Sequence, residues 1–161
     1  MNPTIRQKLL VELLGIGMTA LVVVGVLYPI FQNFVEPFPF LQPNIIVIVL
    51  FLTYMRYIFL LKYTWFGRIF YIKMALMLLS FPLGMWLAYE SREFLEYVDT
   101  QLPDALLRLM RHDRTEEQLV SLVAYVRNEY TFFGVAAFLA NVALFFRLLM
   151  SVWRGANTGE I

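Results

Sequence analysis

Two long apolar runs separated by a short, base-only elbow dominate the chain. Asn44–Leu61 is the first run and Met74–Tyr89 the second. Between them Lys62, Arg68 and Lys73 stand among Tyr63, Trp65, Phe66, Phe70 and Tyr71, with no acid. A pair of runs of this length reads as a membrane hairpin, because about 20 residues of helix cross the hydrocarbon layer. Basic loops are retained on the cytoplasmic side, and aromatic residues collect at the headgroup layer. The elbow is therefore expected inside, and that choice sets the direction of every other segment.

A further run precedes the hairpin (Leu9–Phe31) and another follows it (about Tyr130–Trp153). The first follows Arg6 and Lys8, as a signal peptide would. It is longer than a secretory apolar region, and Tyr28-Pro29-Ile30-Phe31 is bulky where cleavage needs small residues, so a retained span is expected. Pro29 and Gln32-Asn33 are expected to end it. The loop Gln32–Pro43 carries Pro37, Pro39 and Pro43, which favour an extended path, and its single charge is Glu36.

Composition agrees with four spans. The 161 residues are 60% hydrophobic, against the usual 45–50% or so of soluble domains, and the mean hydropathy is +0.67. With no cysteine and one histidine, His112, the chain has no disulfide, no thiol redox centre and no Cys-ligated zinc or iron–sulfur site. A bis-His haem is excluded within one chain. No cofactor or metal is expected.

From Glu90 to Glu129 charges become frequent, nine acids against five bases, a net charge of −4. This stretch reads as water-exposed helix outside the membrane. Leu106, Leu107, Leu109 and Met110 follow the helix-start signal Pro103-Asp104. Thr115-Glu116-Glu117-Gln118 has the form of a capping box. Leu119, Leu122, Val123, Val126 and Tyr130 then recur at helical spacing. One long helix from Glu116 to near Trp153 is expected, and span 3 is expected to extend to about Thr100. Bases assigned inside are Arg6, Lys8, Arg56, Lys62, Arg68, Lys73, Arg147 and Arg154; those assigned outside are Arg92, Arg108, Arg111, Arg114 and Arg127. The bias places both termini in the cytoplasm.

Four polar residues inside the spans form the candidate intramembrane cluster: Glu12, Arg56, Arg147 and Asn141. Snorkelling of each arginine to the interface is the plainer expectation. The sharper one is a buried pair of Glu12 with Arg56 or Arg147. The Arg147 position supports this sharper reading, because Ala136, Ala140 and Ala143 share its stripe and small residues mark helix contacts. Asn141 is expected to join helices rather than line a path. Ser80, Gly84 and Ala88 form a small-residue ladder on span 3, where Pro82 is expected to kink the helix. Lys62, Arg68 and Lys73 are the candidate contacts to anionic lipid headgroups.

Catalytic signals are weak. His112, Asp113, Glu116 and Glu117 read as a solvated junction, and Glu93, Glu96 and Asp99 as a wet helix face. No nucleophile elbow, zinc-binding helix or phosphate loop is present, and the basic elbow is too small for nucleic acid. The expected fold is an all-α integral membrane protein, four transmembrane helices in an antiparallel bundle with an extracytoplasmic helical extension. The expected function is a non-enzymatic subunit or scaffold of the cell membrane. Its partners would be the lipid bilayer and either further copies or other membrane subunits. The alternative is a small transporter or channel subunit using the intramembrane polar residues.

Overall fold

A computed structural model describes residues 3–33, 39–61, 69–101 and 115–158. The described residues form four helices: α1 (Pro3–Asn33), α2 (Leu41–Leu60), α3 (Phe70–Thr100) and α4 (Glu116–Thr158). All four are long and apolar enough to cross a membrane.

Local chemistry explains the helix ends. At Thr115 the capping box is reciprocal: the Gln118 N–H donates to Thr115 Oγ1 and the Thr115 N–H donates to Gln118 Oε1, each at 3.4 Å. Pro29 does not stop α1, which runs one turn further to Asn33. Near a helix end the missing proline N–H removes a single bond, and Asn33 Nδ2 donates to the Pro29 carbonyl at 2.6 Å. Likewise Pro43, expected in the loop, lies in the first turn of α2, where backbone N–H groups have no intrahelical partner to lose. Pro82 is carried inside α3 without ending it.

The long helix α4 is the axis of the fold. Both α2 and α3 pack extensively against it, whereas α1 lies mainly on α2 and touches α4 lightly. The helices flanking the basic elbow therefore meet chiefly through α4. Matched contacts give the directions. Along α3 and α4, Phe94 faces Tyr130, Ser91 faces Gly134, and Phe81 faces Phe145, so one helix ascends as the other descends. Along α2 and α4, Asn44 meets Glu129 and Phe51 meets Phe133, so these two run parallel. Glu12 of α1 meets Arg56 near the end of α2, which makes α1 opposite to α2. The start of α1 and the end of α4 thus share one end of the assembly.

The contact stripe of α3 is Ser80, Gly84, Leu87, Phe94 and Val98, all buried, in steps of three, four or seven. Ala88 is exposed, so the small-residue ladder serves the contact with α4 at Ser80 and Gly84 only. On α4 the stripe includes Leu122, Val126, Tyr130, Ala137, Ala140, Leu144 and Leu148. At the Glu129 end, aromatic rings tie three helices together. Phe40 sits edge-on to Phe94 at 5.5 Å and to Tyr130 at 6.3 Å. Phe94 stacks on Tyr130 with centroids 3.8 Å apart. The α1 surface is open, with Leu13, Leu14, Ile16 and Leu21 exposed.

Candidate functional site

The four candidate intramembrane residues fall in three places. Arg56 Nη2 lies 3.2 Å from Glu12 Oε2, and the two side chains are 14% and 12% exposed. Arg56 Nη1 also donates to the Glu12 backbone carbonyl at 3.3 Å. The guanidinium lies across Gly15, where a Cβ would come within 2.7 Å of Arg56 Cδ. Gly15 is thus what lets α2 bring an arginine against the α1 backbone. The guanidinium also stands 5.1 Å from the Tyr57 ring centre, a cation–π distance. Beside the pair, a groove of about 460 Å³ runs between α1 and α2, lined by Gly15, Met18, Thr19, Val22, Leu52 and Phe59 among others.

Arg147 is elsewhere. It is exposed, as is Ala143 on the stripe that was expected to turn it inward. The stripe that α4 buries lies one residue on, at Ala137, Ala140, Asn141, Leu144 and Leu148. Leucines hold this contact as well as alanines, so residue size alone pointed to the wrong register. Asn141 is buried, and its Nδ2 donates to the Ser80 carbonyl at 2.8 Å. A Cβ at Gly84 would come within 2.8 Å of the same Nδ2. Asn141 therefore joins α4 to the α3 backbone through a gap that a glycine leaves open.

Of the candidate lipid contacts, Lys73 is half-buried at the start of α3. Lys62 and Arg68 lie outside the described residues, as do His112, Asp113 and residues 34–38 of the loop Gln32–Pro43. Among the described residues no group of three or more His, Cys, Asp or Glu is placed to hold a metal ion.

Sequence reasoning missed one site. Glu129 was counted with the wet acids, but it is 7% exposed and Asn44 is fully buried. Asn44 Nδ2 donates to Glu129 Oε2 at 2.8 Å, joining α2 to α4. Asn44 Oδ1 and Glu129 Oε1 are buried without a hydrogen-bond partner. A signal was available: Glu129 stands three residues after Val126 and seven after Leu122, on the apolar face of its helix. Arg127, its nearest base in sequence, turns to Asp99 at 3.4 Å in an exposed ion pair.

No known protein family matches the sequence, and no curated protein or solved structure is similar to the chain.

Proposed function

We propose that the chain is a non-enzymatic subunit or scaffold of the cell membrane. It crosses the bilayer four times as an antiparallel bundle with both termini cytoplasmic, and works through helix packing and its projecting helices. The observation that carries this reading is the length of the α3–α4 pair. At 31 and 43 residues, the two helices measure about 46 and 64 Å, against roughly 30 Å of hydrocarbon. The surplus emerges at the Glu129 end. There the pair stays packed through Phe94, Val98, Leu122 and Val126 and presents Glu93, Glu96, Asp99, Glu117 and Arg127 to water. A rigid two-helix arm with a charged surface suits contact with another protein outside the membrane, either a second copy or a different membrane subunit. Lys73, at the opposite end, suits anionic headgroups of the inner leaflet, and the sequence joins it to Lys62 and Arg68 in one basic elbow, at about 1 kcal/mol per base.

Purification in mild detergent followed by mass measurement tests the reading. A stable homo-oligomer or a stoichiometric partner is the expected result. A strictly monomeric chain that retains no partner contradicts it.

A second reading, a small transporter or channel subunit, is favoured by the buried Asn44–Glu129 pair, since a carboxyl inside an apolar bundle commonly marks a translocation path. Liposome flux across a panel of ions and cationic drugs, compared with Glu129→Gln and Glu12→Gln, tests it. Flux lost in either variant supports the reading, and no flux in the wild type removes it.

A further inference from the structure

Glu129 and Asn44 present a mismatch of donors and acceptors. An amide has one donor end and one acceptor end, whereas an ionised carboxylate has only acceptors. Asn44 spends its donor on Glu129 Oε2. What remains on the facing groups is Asn44 Oδ1 and Glu129 Oε1, two acceptors, both buried and both without a partner. Two acceptors cannot bond each other, and leaving both bare in a core is costly. One proton resolves both. Placed on Oε1, it makes the carboxyl a donor to Oδ1, and the two groups close a ring of two hydrogen bonds.

We propose that the Asn44–Glu129 pair is a proton-binding site, in which Glu129 holds a proton on Oε1 and shares it with Asn44 Oδ1. The proton comes from water and returns to it, so no other reactant takes part. In the protonated form the ring clamps α2 to α4. In the ionised form a buried charge keeps a single amide donor, and the clamp is weakened.

Among the described residues no other group hydrogen-bonds Asn44 Oδ1 or Glu129 Oε1. From α2 the facing group is Asn44 itself, with Tyr54 ten residues further along. From α3 come Tyr97, next to Phe40 in the aromatic cluster, and the half-buried Glu90. On α4, Tyr125 donates its hydroxyl to the Val26 carbonyl of α1 at 2.7 Å, and the buried Tyr130 hydroxyl makes no hydrogen bond. Arg127 is held by Asp99.

Infrared spectroscopy of the full chain in lipid nanodiscs at neutral pH tests the proposal, with Glu129→Gln as the reference. The glutamine keeps the carboxyl shape and can make both bonds to Asn44, so the variant folds. The expected result is a protonated-carboxyl C=O band in the wild type, absent from Glu129→Gln and displaced in Asn44→Ala, or in Asn44→Gln where the alanine variant does not fold. No such band in the wild type, or the same band in Glu129→Gln, overturns the proposal. A band indifferent to the Asn44 substitution overturns the shared ring.

Discussion

One guanidinium, that of Arg56, bonds both the carboxylate and the main-chain carbonyl of Glu12, at 3.2 and 3.3 Å. This double grip is the principal polar attachment of α1, whose surface is otherwise largely open. Removing one partner of a buried ion pair leaves the other charge uncompensated, at a cost on the order of 3 kcal/mol. Arg56→Ala is therefore expected to loosen α1 from α2. Arg56→Lys should recover only part of the loss, because an ammonium lacks the fork that reaches two acceptors. The chain has no cysteine, so a disulfide between cysteines placed at Thr19 and Leu52 reports the contact cleanly. Efficient cross-linking in Arg56→Ala would refute the role given to the pair.

Two glycines should respond differently to alanine. At Gly84 a Cβ meets Asn141 Nδ2 at 2.8 Å, in the path of the Ser80 bond. Gly84→Ala is expected to cost about 1–3 kcal/mol, the range for a lost buried hydrogen bond or an overpacked contact. At Gly17 a Cβ meets nothing within 4 Å, so Gly17→Ala should be neutral or stabilise by up to about 1 kcal/mol through helix propensity. Thermal unfolding in one detergent ranks the two. Adding Asn141→Ala to Gly84→Ala should leave the double variant close to Asn141→Ala alone, since the clash is with the Asn141 side chain.

Tyr130 separates ring from hydroxyl. Its ring stacks on Phe94, but its buried hydroxyl has no hydrogen-bond partner. Tyr130→Phe should therefore leave stability unchanged or slightly raised. Tyr130→Ala should lose roughly 3–5 kcal/mol, as large aromatic truncations do. Chemical unfolding of both variants checks this, and a strongly destabilised Tyr130→Phe would show that the hydroxyl is engaged.

The start of α4 depends on a side chain. Thr115→Ala removes the acceptor for the Gln118 N–H and is expected to cost about 1 kcal/mol. Hydrogen exchange should quicken over the first turn of α4 and remain unchanged around Leu144 and Leu148.

The helices and their ends were largely legible in the sequence, because apolar run length and capping chemistry are local properties. The Thr115 capping box and the extension of α3 to Thr100 are of this kind. Pro43 misled because it sits in the first turn of α2, where backbone N–H groups have no intrahelical partner to lose, whereas α1 ends at Asn33, as Gln32-Asn33 indicated, one turn beyond Pro29. Neighbour relations were less legible. Nothing local says that α4 lies between α2 and α3, and the alanines at 136, 140 and 143 could not show that the contact register falls at Leu144 and Leu148. Glu129 escaped for a related reason: its burial depends on Asn44, 85 positions away in sequence. The Glu12–Arg56 geometry was one of two pairings left open, and the choice between Arg56 and Arg147 rested on helix packing.

In the proposed arrangement the chain crosses the bilayer four times and returns both ends to the cytoplasm. Single cysteines at Asn2, Thr64, Ala105 and Gly159, probed with a membrane-impermeant thiol reagent from each side of sealed vesicles, test this directly. Labelling of Asn2, Thr64 and Gly159 positions from the cytoplasmic face and of Ala105 from the opposite face is the predicted result. Labelling of the Asn2 and Gly159 positions from opposite faces would contradict it.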